Sequence, residues 1–128
     1  MSATDDVVEI QQLLARYNRA ADSGDGAGFA ATFTVDGELV TPDRTSMGRD
    51  ALIELGATVH TAVPGIRHWV NNHVVVVDGN DAAATAYVIV LITTPGGAPS
   101  IVASGRYQDR LTREADGWRF RRREFIPD

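Results

Sequence analysis

Two side chains of this sequence are suited to proton transfer, although they lie far apart along the chain. Asp22 stands at the end of an amphipathic helical pattern, and His68 stands where a loop enters a strand-like segment. An unperturbed histidine has a pKa of about 6.5, so it can accept and return a proton near neutral pH. A carboxylate beside the ring fixes its tautomer and stabilises the imidazolium, as in hydrolytic triads. These residue types therefore favour general acid–base chemistry if folding brings Asp22 and His68 together.

The other two histidines are weaker candidates for chemistry. His60 falls at the end of a predicted helix, where a cation suits the helix dipole. His73 follows His68 by five positions, so a regular strand would place the two on opposite faces. Since the chain has three histidines, no cysteine and scattered carboxylates, the sequence predicts neither a zinc nor an iron site. The acid–base chemistry needs no cofactor.

A cluster of arginines lies in the last strand-like segment, at 119 and 121–123. Strict alternation would place Arg122 on the same face as Trp118 and Phe120, and Arg123 on the opposite face. A bulge among the arginines would exchange these two positions. Because the net charge is −5, the single basic cluster predicts a charged strand face and no nucleic-acid binding.

Length and composition limit what the chain can be. With 128 residues and 13.8 kDa, residues 1–128 are expected to form a single domain. The absence of cysteine excludes disulfides and thiolate chemistry. The acidic N-terminus lacks the pattern of an export signal, and no apolar run approaches the roughly 20 residues that span a bilayer. We therefore expect a cytoplasmic protein that does not bind membranes.

Helical patterns come first along the chain. An apolar stripe follows Thr4, a candidate N-cap, and continues to the turn at Ser23-Gly24. A short second helix is predicted around 27–33 and a short strand at 38–41. A third helix is predicted after Gly48-Arg49-Asp50, with its apolar side chains facing inwards.

Strand patterns fill the rest of the chain, at 67–77, 82–93, 101–112 and 117–126. Their connections carry hairpin residues such as Asp78-Gly79-Asn80 and Pro95-Gly96-Gly97. Consecutive strands joined by short turns form an antiparallel, strongly curved sheet, and three helices can cover one face of it. The predicted fold class is α+β, with a cone of three N-terminal helices packed on the sheet.

Motifs along nearly the whole chain resemble the SnoaL-like proteins of the NTF2-like superfamily. They include Tyr17 through Asp22-Ser23-Gly24-Asp25, the stretch from Arg67-His68 to Asn72, and Gly117-Trp118-Arg119-Phe120. The remaining motifs lie at 10–17, 33–37, 48–51 and 105–109. The resemblance implies the NTF2-like cone. It does not give the function, since the superfamily includes cyclases, isomerases, dehydratases, a dehydrochlorinase and members without catalysis.

The closest motif match is to the branch that holds scytalone dehydratase, a bile-acid dehydratase and the dehydrochlorinase. In that branch an aspartate late in the first helix supports a histidine at the start of a strand, which implies that Asp22 and His68 meet. Tyr17, five positions before Asp22, matches the bile-acid dehydratase type, whereas the dehydrochlorinase has lysine there. Segment 82–93 lacks the second histidine of scytalone dehydratase. When positions are counted from Gly117-Trp118, the active-site arginine of the dehydrochlorinase falls on Arg123. The resemblance therefore favours Arg123 over Arg122 as a cation near substrate oxygens.

The resemblance implies a cofactor-independent lyase or isomerase for a small apolar oxygenated molecule, such as a steroid, terpenoid or polyketide. The resemblance implies that His68 transfers a proton and that Asp22 orients the His68 ring. Tyr17 would donate a hydrogen bond to the oxygen on which negative charge develops. The expected cavity walls are Phe29, Phe33, Trp69, Val88, Val90 and Ile101. A non-catalytic binding protein and a dimerisation module remain alternatives. Apolar residues on the outer sheet face predict a small homo-oligomer, either a dimer or a trimer.

Overall fold

Three helices form from the first half of the chain. In the computed structural model, which describes residues 2–128, they are α1 (Ala3–Ser23), α2 (Gly26–Ala31) and α3 (Arg49–Ala62). The N-cap of α1 is Ser2 rather than Thr4, because Ser2 and Asp5 cap each other's backbone N–H groups in a capping box. The helix ends at Gly24, which adopts the left-handed conformation at φ 76°.

Six strands form one mixed sheet. They are β1 (Phe33–Thr41), β2 (Arg44–Met47), β3 (Ile66–Asp78), β4 (Asp81–Ile92), β5 (Ser100–Glu114) and β6 (Gly117–Pro127). Their order is β2-β1-β6-β5-β4-β3, and every neighbouring pair is antiparallel except β1 and β6. The predicted α+β fold with a mainly antiparallel sheet is confirmed. Besides the N-cap of α1, one local prediction was wrong, because Phe33 begins a strand instead of ending a helix. Strand β2 was not predicted.

Register shifts interrupt four of the strand pairings. Three of them add a single residue to one strand: Val102 opposite the Val90–Leu91 step, Arg121 opposite the Arg110–Leu111 step, and one residue of β3 between Asn71 and Val74. The pairing of β1 with β6 shifts between Phe33 and Glu38. Each bulge bends its strand and reverses the faces of the residues beyond it. The sheet can therefore curve around the helices.

The hydrophobic core lies between the helices and the concave face of the sheet. Its largest fully buried apolar side chains are Trp118, Phe120, Ile10, Leu13, Leu14, Leu52, Leu111 and Val88. Asp6 in the first turn of α1 accepts hydrogen bonds from Arg113 of β5, at 2.6 Å and 3.0 Å, and from Trp118 Nε1 of β6, at 3.1 Å. These contacts anchor the start of α1, and the helix then carries Tyr17 and Asp22 along the sheet.

Helix α3 packs closely against α2. Gly56 faces Phe29 of α2 so closely that a Cβ atom at this position would collide with the aromatic ring. The approach allows Leu55 and Val59 of the same helix to reach the interior. Within residues 2–128 no helix is both long and apolar enough to cross a membrane.

Candidate active site

Asp22 and His68 meet where the last turn of α1 crosses the first residues of β3. Asp22 Oδ1 lies 2.6 Å from His68 Nδ1, and Asp22 Oδ2 accepts the backbone N–H of His68 at 3.2 Å. One carboxylate thus holds both the ring and the backbone of the histidine. Both side chains are largely buried, at 12% exposure for His68 and 13% for Asp22. An ionised Asp22 places the proton on Nδ1, which leaves Nε2 as the free base of the ring.

His68 forms part of the wall of an apolar cavity of about 200 Å³ between the helices and the sheet. The cavity extends from helix residues Tyr17 and Val59 to sheet residues Ala103 and Phe125. The other lining residues are Ala21, Phe29, Leu39, Thr41, Leu55, Val90 and Tyr107. Of these lining residues only His68, the two tyrosines and Thr41 carry polar side-chain atoms, so the cavity suits a largely apolar ligand with few oxygens.

The strand register explains how the sheet contributes to this cavity. His68, Val90 and Ala103 are paired across β3, β4 and β5, so they share one row on the concave face. Tyr107 belongs to another row of that face, where it pairs with Ala86 and with Phe125. Small side chains such as Ala103 leave space where larger ones would fill the interior.

Tyr17 and Tyr107 form a cluster of aromatic rings around a buried cation. Their ring centroids are 5.9 Å apart with the rings nearly perpendicular. The Arg123 guanidinium carbon lies 3.5 Å from the Tyr107 ring centroid, 4.3 Å from that of Tyr17 and 4.7 Å from that of Phe120. Burial raises the pKa of both tyrosines, and the charge of Arg123 opposes the rise. The two phenols are therefore protonated donors at neutral pH.

Arg123 itself is completely buried, and its charge partner is Asp109. Arg123 Nε lies 3.0 Å from Asp109 Oδ1, yet none of the guanidinium N–H groups points at an acceptor with hydrogen-bond geometry. Burial raises the pKa of Asp109 to about 6, although the charge of Arg123 lowers it. The cation lies behind the tyrosine rings and does not itself line the cavity.

The bulge at Arg121 decides between the two arginines of β6. Beyond it the alternation is reversed, so Arg123 faces the interior and Arg122 faces outwards. Arg122 lies within 3.2 Å of both Glu38 and Glu124 and remains partly exposed. Arg122 is thus a surface residue, and Arg123 reaches the region of the cavity only through the aromatic rings.

The expected cavity walls divide into three groups. Phe29 and Val90 line the cavity. Phe33 and Val88 are buried in the core but do not line it, because Phe33 packs deeper, against Phe29, Tyr17 and Phe120.

Trp69 and Ile101 lie on the outer side of the sheet instead of the cavity wall. Trp69 is 60% exposed, and Ile101 is 66% exposed. Trp69 directly follows His68 in β3, so the two must point to opposite faces. Ile101 pairs with Leu91, the residue after the inward-facing Val90, because the bulge at Val102 shifts the register.

The structure adds residues that the sequence patterns did not indicate. Tyr107 and Thr41 contribute polar groups to the cavity, and Asp109 is the buried partner of Arg123. The alternation in β5 places Tyr107 and Asp109 on one face, which was the available signal for them.

His73 also differs from expectation: the bulge at Asn72, with φ 56°, brings His73 into a groove that His68 also lines. Among residues 2–128 no cluster of histidine, aspartate and glutamate side chains could hold a metal ion.

Comparisons with known proteins show related domains and structures. A family model of the SnoaL-like domain matches residues 2–124. Among solved structures, Rv3472 of Mycobacterium tuberculosis, a protein of unknown function, is 33% identical with a TM-score of 0.89, over 100% of this chain and 77% of that one. No significant match to a curated protein was found.

Two structures from Novosphingobium aromaticivorans are also similar. An NTF2-like protein with a cystatin-like fold is 30% identical, with a TM-score of 0.87, over 95% of this chain and 81% of that one. A proposed scytalone dehydratase is 23% identical, with a TM-score of 0.83, over 98% of this chain and 85% of that one. At this lower identity the likeness shows a shared fold alone.

Proposed function

The chain belongs to the SnoaL-like family, and from this membership and the geometry of the cavity we propose that it is a cofactor-independent lyase or isomerase. Its reaction is of the dehydratase type, with His68 as the acid–base group and Asp22 as its partner. The substrate is a small, apolar, oxygenated molecule such as a steroid, terpenoid or polyketide. The observation that carries the proposal is the 2.6 Å contact between His68 Nδ1 and Asp22 Oδ1 at the wall of an apolar cavity.

The chemistry begins with removal of an acidic proton next to a carbonyl group. His68 Nε2 takes the proton, and the electron pair of the C–H bond moves to the carbonyl oxygen, which becomes an enolate. Asp22 stabilises the resulting imidazolium, and the Tyr17 hydroxyl donates to the enolate oxygen. In an elimination the carbonyl re-forms as the β C–O bond breaks, and the departing hydroxide takes the proton from His68 and leaves as water. In an isomerisation His68 returns the proton to a different carbon.

The composition of the cavity supports a neutral, largely apolar substrate. Its walls are aliphatic and aromatic, and neither Asp22 nor Arg123 is among the lining residues. A ligand with a free carboxylate or phosphate would have to lose its hydration without a directly accessible cation. A carbonyl oxygen of the substrate, by contrast, can accept a hydrogen bond from the tyrosines. A hydroxyl group of the substrate can also donate a hydrogen bond to His68.

Variants of the pair test the proposal on any substrate found by screening carbonyl and hydroxyl compounds with the purified protein. We expect His68→Ala and Asp22→Asn each to reduce turnover by about 10² to 10⁴, because positioned proton transfer contributes about that factor. The double variant should lose little more than His68→Ala, since the two residues act as a unit. His73→Ala is the matched control, because it removes a histidine of the same strand that is not paired with Asp22.

Two outcomes would overturn the catalytic proposal. Undiminished turnover in His68→Ala would show that the reaction does not use the pair. Tight binding of a ligand that the wild-type protein never converts would favour the alternative of a non-catalytic binding protein with the same cavity.

A further inference from the structure

Tyr107 is a second phenol at the cavity, contributed by β5 instead of α1. Tyr107 is 3% exposed, and it lines the cavity together with Tyr17. Its ring also packs edge-on against Phe125, at 5.9 Å between centroids, so it is held by neighbours on two sides. A phenol held this firmly in an apolar wall presents its hydroxyl group at a defined position.

Tyr17 and Tyr107 bring two hydroxyl groups to the same cavity from different elements, α1 and β5. Burial is the main influence on both phenols and raises the pKa of each, so both hydroxyl groups keep their protons at neutral pH. An oxygen atom of a ligand bound in the cavity can therefore accept hydrogen bonds from both phenols.

A buried cation lies behind the two phenol rings. Arg123 is fully buried, its Nε lies 3.0 Å from Asp109 Oδ1, and three aromatic faces surround its guanidinium group. Burying a guanidinium is costly, and contacts with aromatic faces and with Asp109 offset only part of that cost. Its positive charge stabilises negative charge that develops on a phenol or on an oxygen bound to that phenol.

We propose that Tyr107 and Tyr17 form a two-phenol binding site for an anionic or strongly polarised ligand oxygen, in which Tyr107 donates to the oxygen directly and Arg123 is the positioning cation behind both rings. The ligand class is an enolate or phenolate oxygen on an apolar skeleton. A catalytic role for Tyr107 in this site rests on the proposed function. The binding of a ligand oxygen by the two phenols does not depend on the proposed function.

A series of para-substituted phenols of similar size and increasing acidity, up to para-nitrophenol, tests the site without any turnover. We expect affinity to rise with acidity, and bound para-nitrophenol to be more ionised than free para-nitrophenol at the same pH, as its absorbance reports. Tyr107→Phe should weaken binding of para-nitrophenol about tenfold or more and reduce its ionised fraction, because it removes a hydrogen bond to a charged oxygen. Binding of para-nitrotoluene, which lacks the hydroxyl group, should not change.

The matched control is Tyr87→Phe, which removes the hydroxyl of an exposed tyrosine on the outer face of the same sheet and should leave binding unchanged. His68→Ala separates the two proposals, because the dependence on Tyr107 should persist in that background even where turnover is lost. Equal para-nitrophenol affinity and ionisation in Tyr107→Phe and the wild-type protein would overturn the two-phenol site, whatever the fate of the catalytic pair. So would a wild-type protein that binds none of the phenols.

Discussion

The charge pair of Asp109 and Arg123 is unusual because neither side chain reaches water. The two residues are directly paired across β5 and β6, in a part of the core filled by aromatic rings. Burial raises the pKa of the Asp109 carboxyl from 3.8 to about 6. The carboxyl therefore keeps its proton to a higher pH in the folded chain than in the unfolded chain.

This difference predicts a contribution of Asp109 to the pH dependence of stability that Asp109→Asn should remove. Between about pH 4 and pH 6 the folded protein binds more protons at Asp109 than the unfolded protein does, so its unfolding free energy falls as the pH rises. The shift corresponds to a loss of about 3 kcal/mol at most, complete above the folded pKa. Thermal denaturation of both proteins from pH 4 to pH 8 measures it. The variant should gain stability relative to the wild-type protein as the pH rises, and a constant difference in Tm would contradict the expectation.

Strand β6 shows how one extra residue in an element decides which side chains enter the core. Before the bulge, Trp118 and Phe120 face inwards, and after it Arg123 and Phe125 do so. A regular strand would have sent Arg123 to the surface and Arg122 inwards. Because the inward position pairs with Asp109 and packs on Tyr107, the bulge is what assembles the buried cation and its rings.

Deletion of Arg121 is therefore expected to be far more harmful than removal of its side chain. Deletion restores strict alternation, so every residue on one side of the deletion must change face, and either Phe120 or Arg123 leaves the interior. We expect a deletion variant that fails to fold or loses at least about 3 kcal/mol, comparable with truncation of a large core side chain. Arg121→Ala, at an exposed position, should stay within about 0.5 kcal/mol of the wild-type protein. Urea denaturation compares the two, and equal stability would contradict the role of the bulge.

At the scale of the whole molecule, the convex face of the sheet carries exposed apolar side chains that the helices cannot cover. They are Trp69, Val74, Val76, Tyr87, Ile101 and Val102. They come from three neighbouring strands, β3, β4 and β5, and so share one surface. Contiguous apolar surface of this kind commonly marks an interface between proteins.

We expect the protein to associate with itself through this surface, as a dimer or a trimer. Tyr87→Lys places a charge in the middle of the surface and should shift the protein towards the monomer. Val8→Lys is the control, because Val8 is an exposed valine on the helical side of the molecule. Light scattering at high micromolar concentration measures the mass. A wild-type mass of 13.8 kDa under these conditions would contradict the expectation.

Much of the architecture could be inferred from local patterns in the sequence. The apolar stripe of α1 and the alternation in β4 and β5 are local signals with periods near 3.6 and 2 residues, and they predicted the helical and strand halves. The resemblance of the segments around Asp22 and His68 to the SnoaL-like family predicted which two residues meet. Their contact depends on the crossing of α1 over β3, which the fold of a family preserves.

The inward or outward direction of individual side chains could not be inferred in this way. Each bulge, at Asn72, Val102 and Arg121, reverses the alternation, and the residue types at Val102 and Arg121 do not mark those two positions as bulges. The parallel pairing of β1 with β6 likewise joins segments from opposite ends of the chain. The pairing of strands and the inward or outward direction of each side chain depend on the sum of many long-range contacts. These contacts include the burial of Arg123 beside Asp109 and Tyr107. The placement of the cavity residues therefore emerges from packing of the complete chain, because no short segment contains the partners that stabilise it.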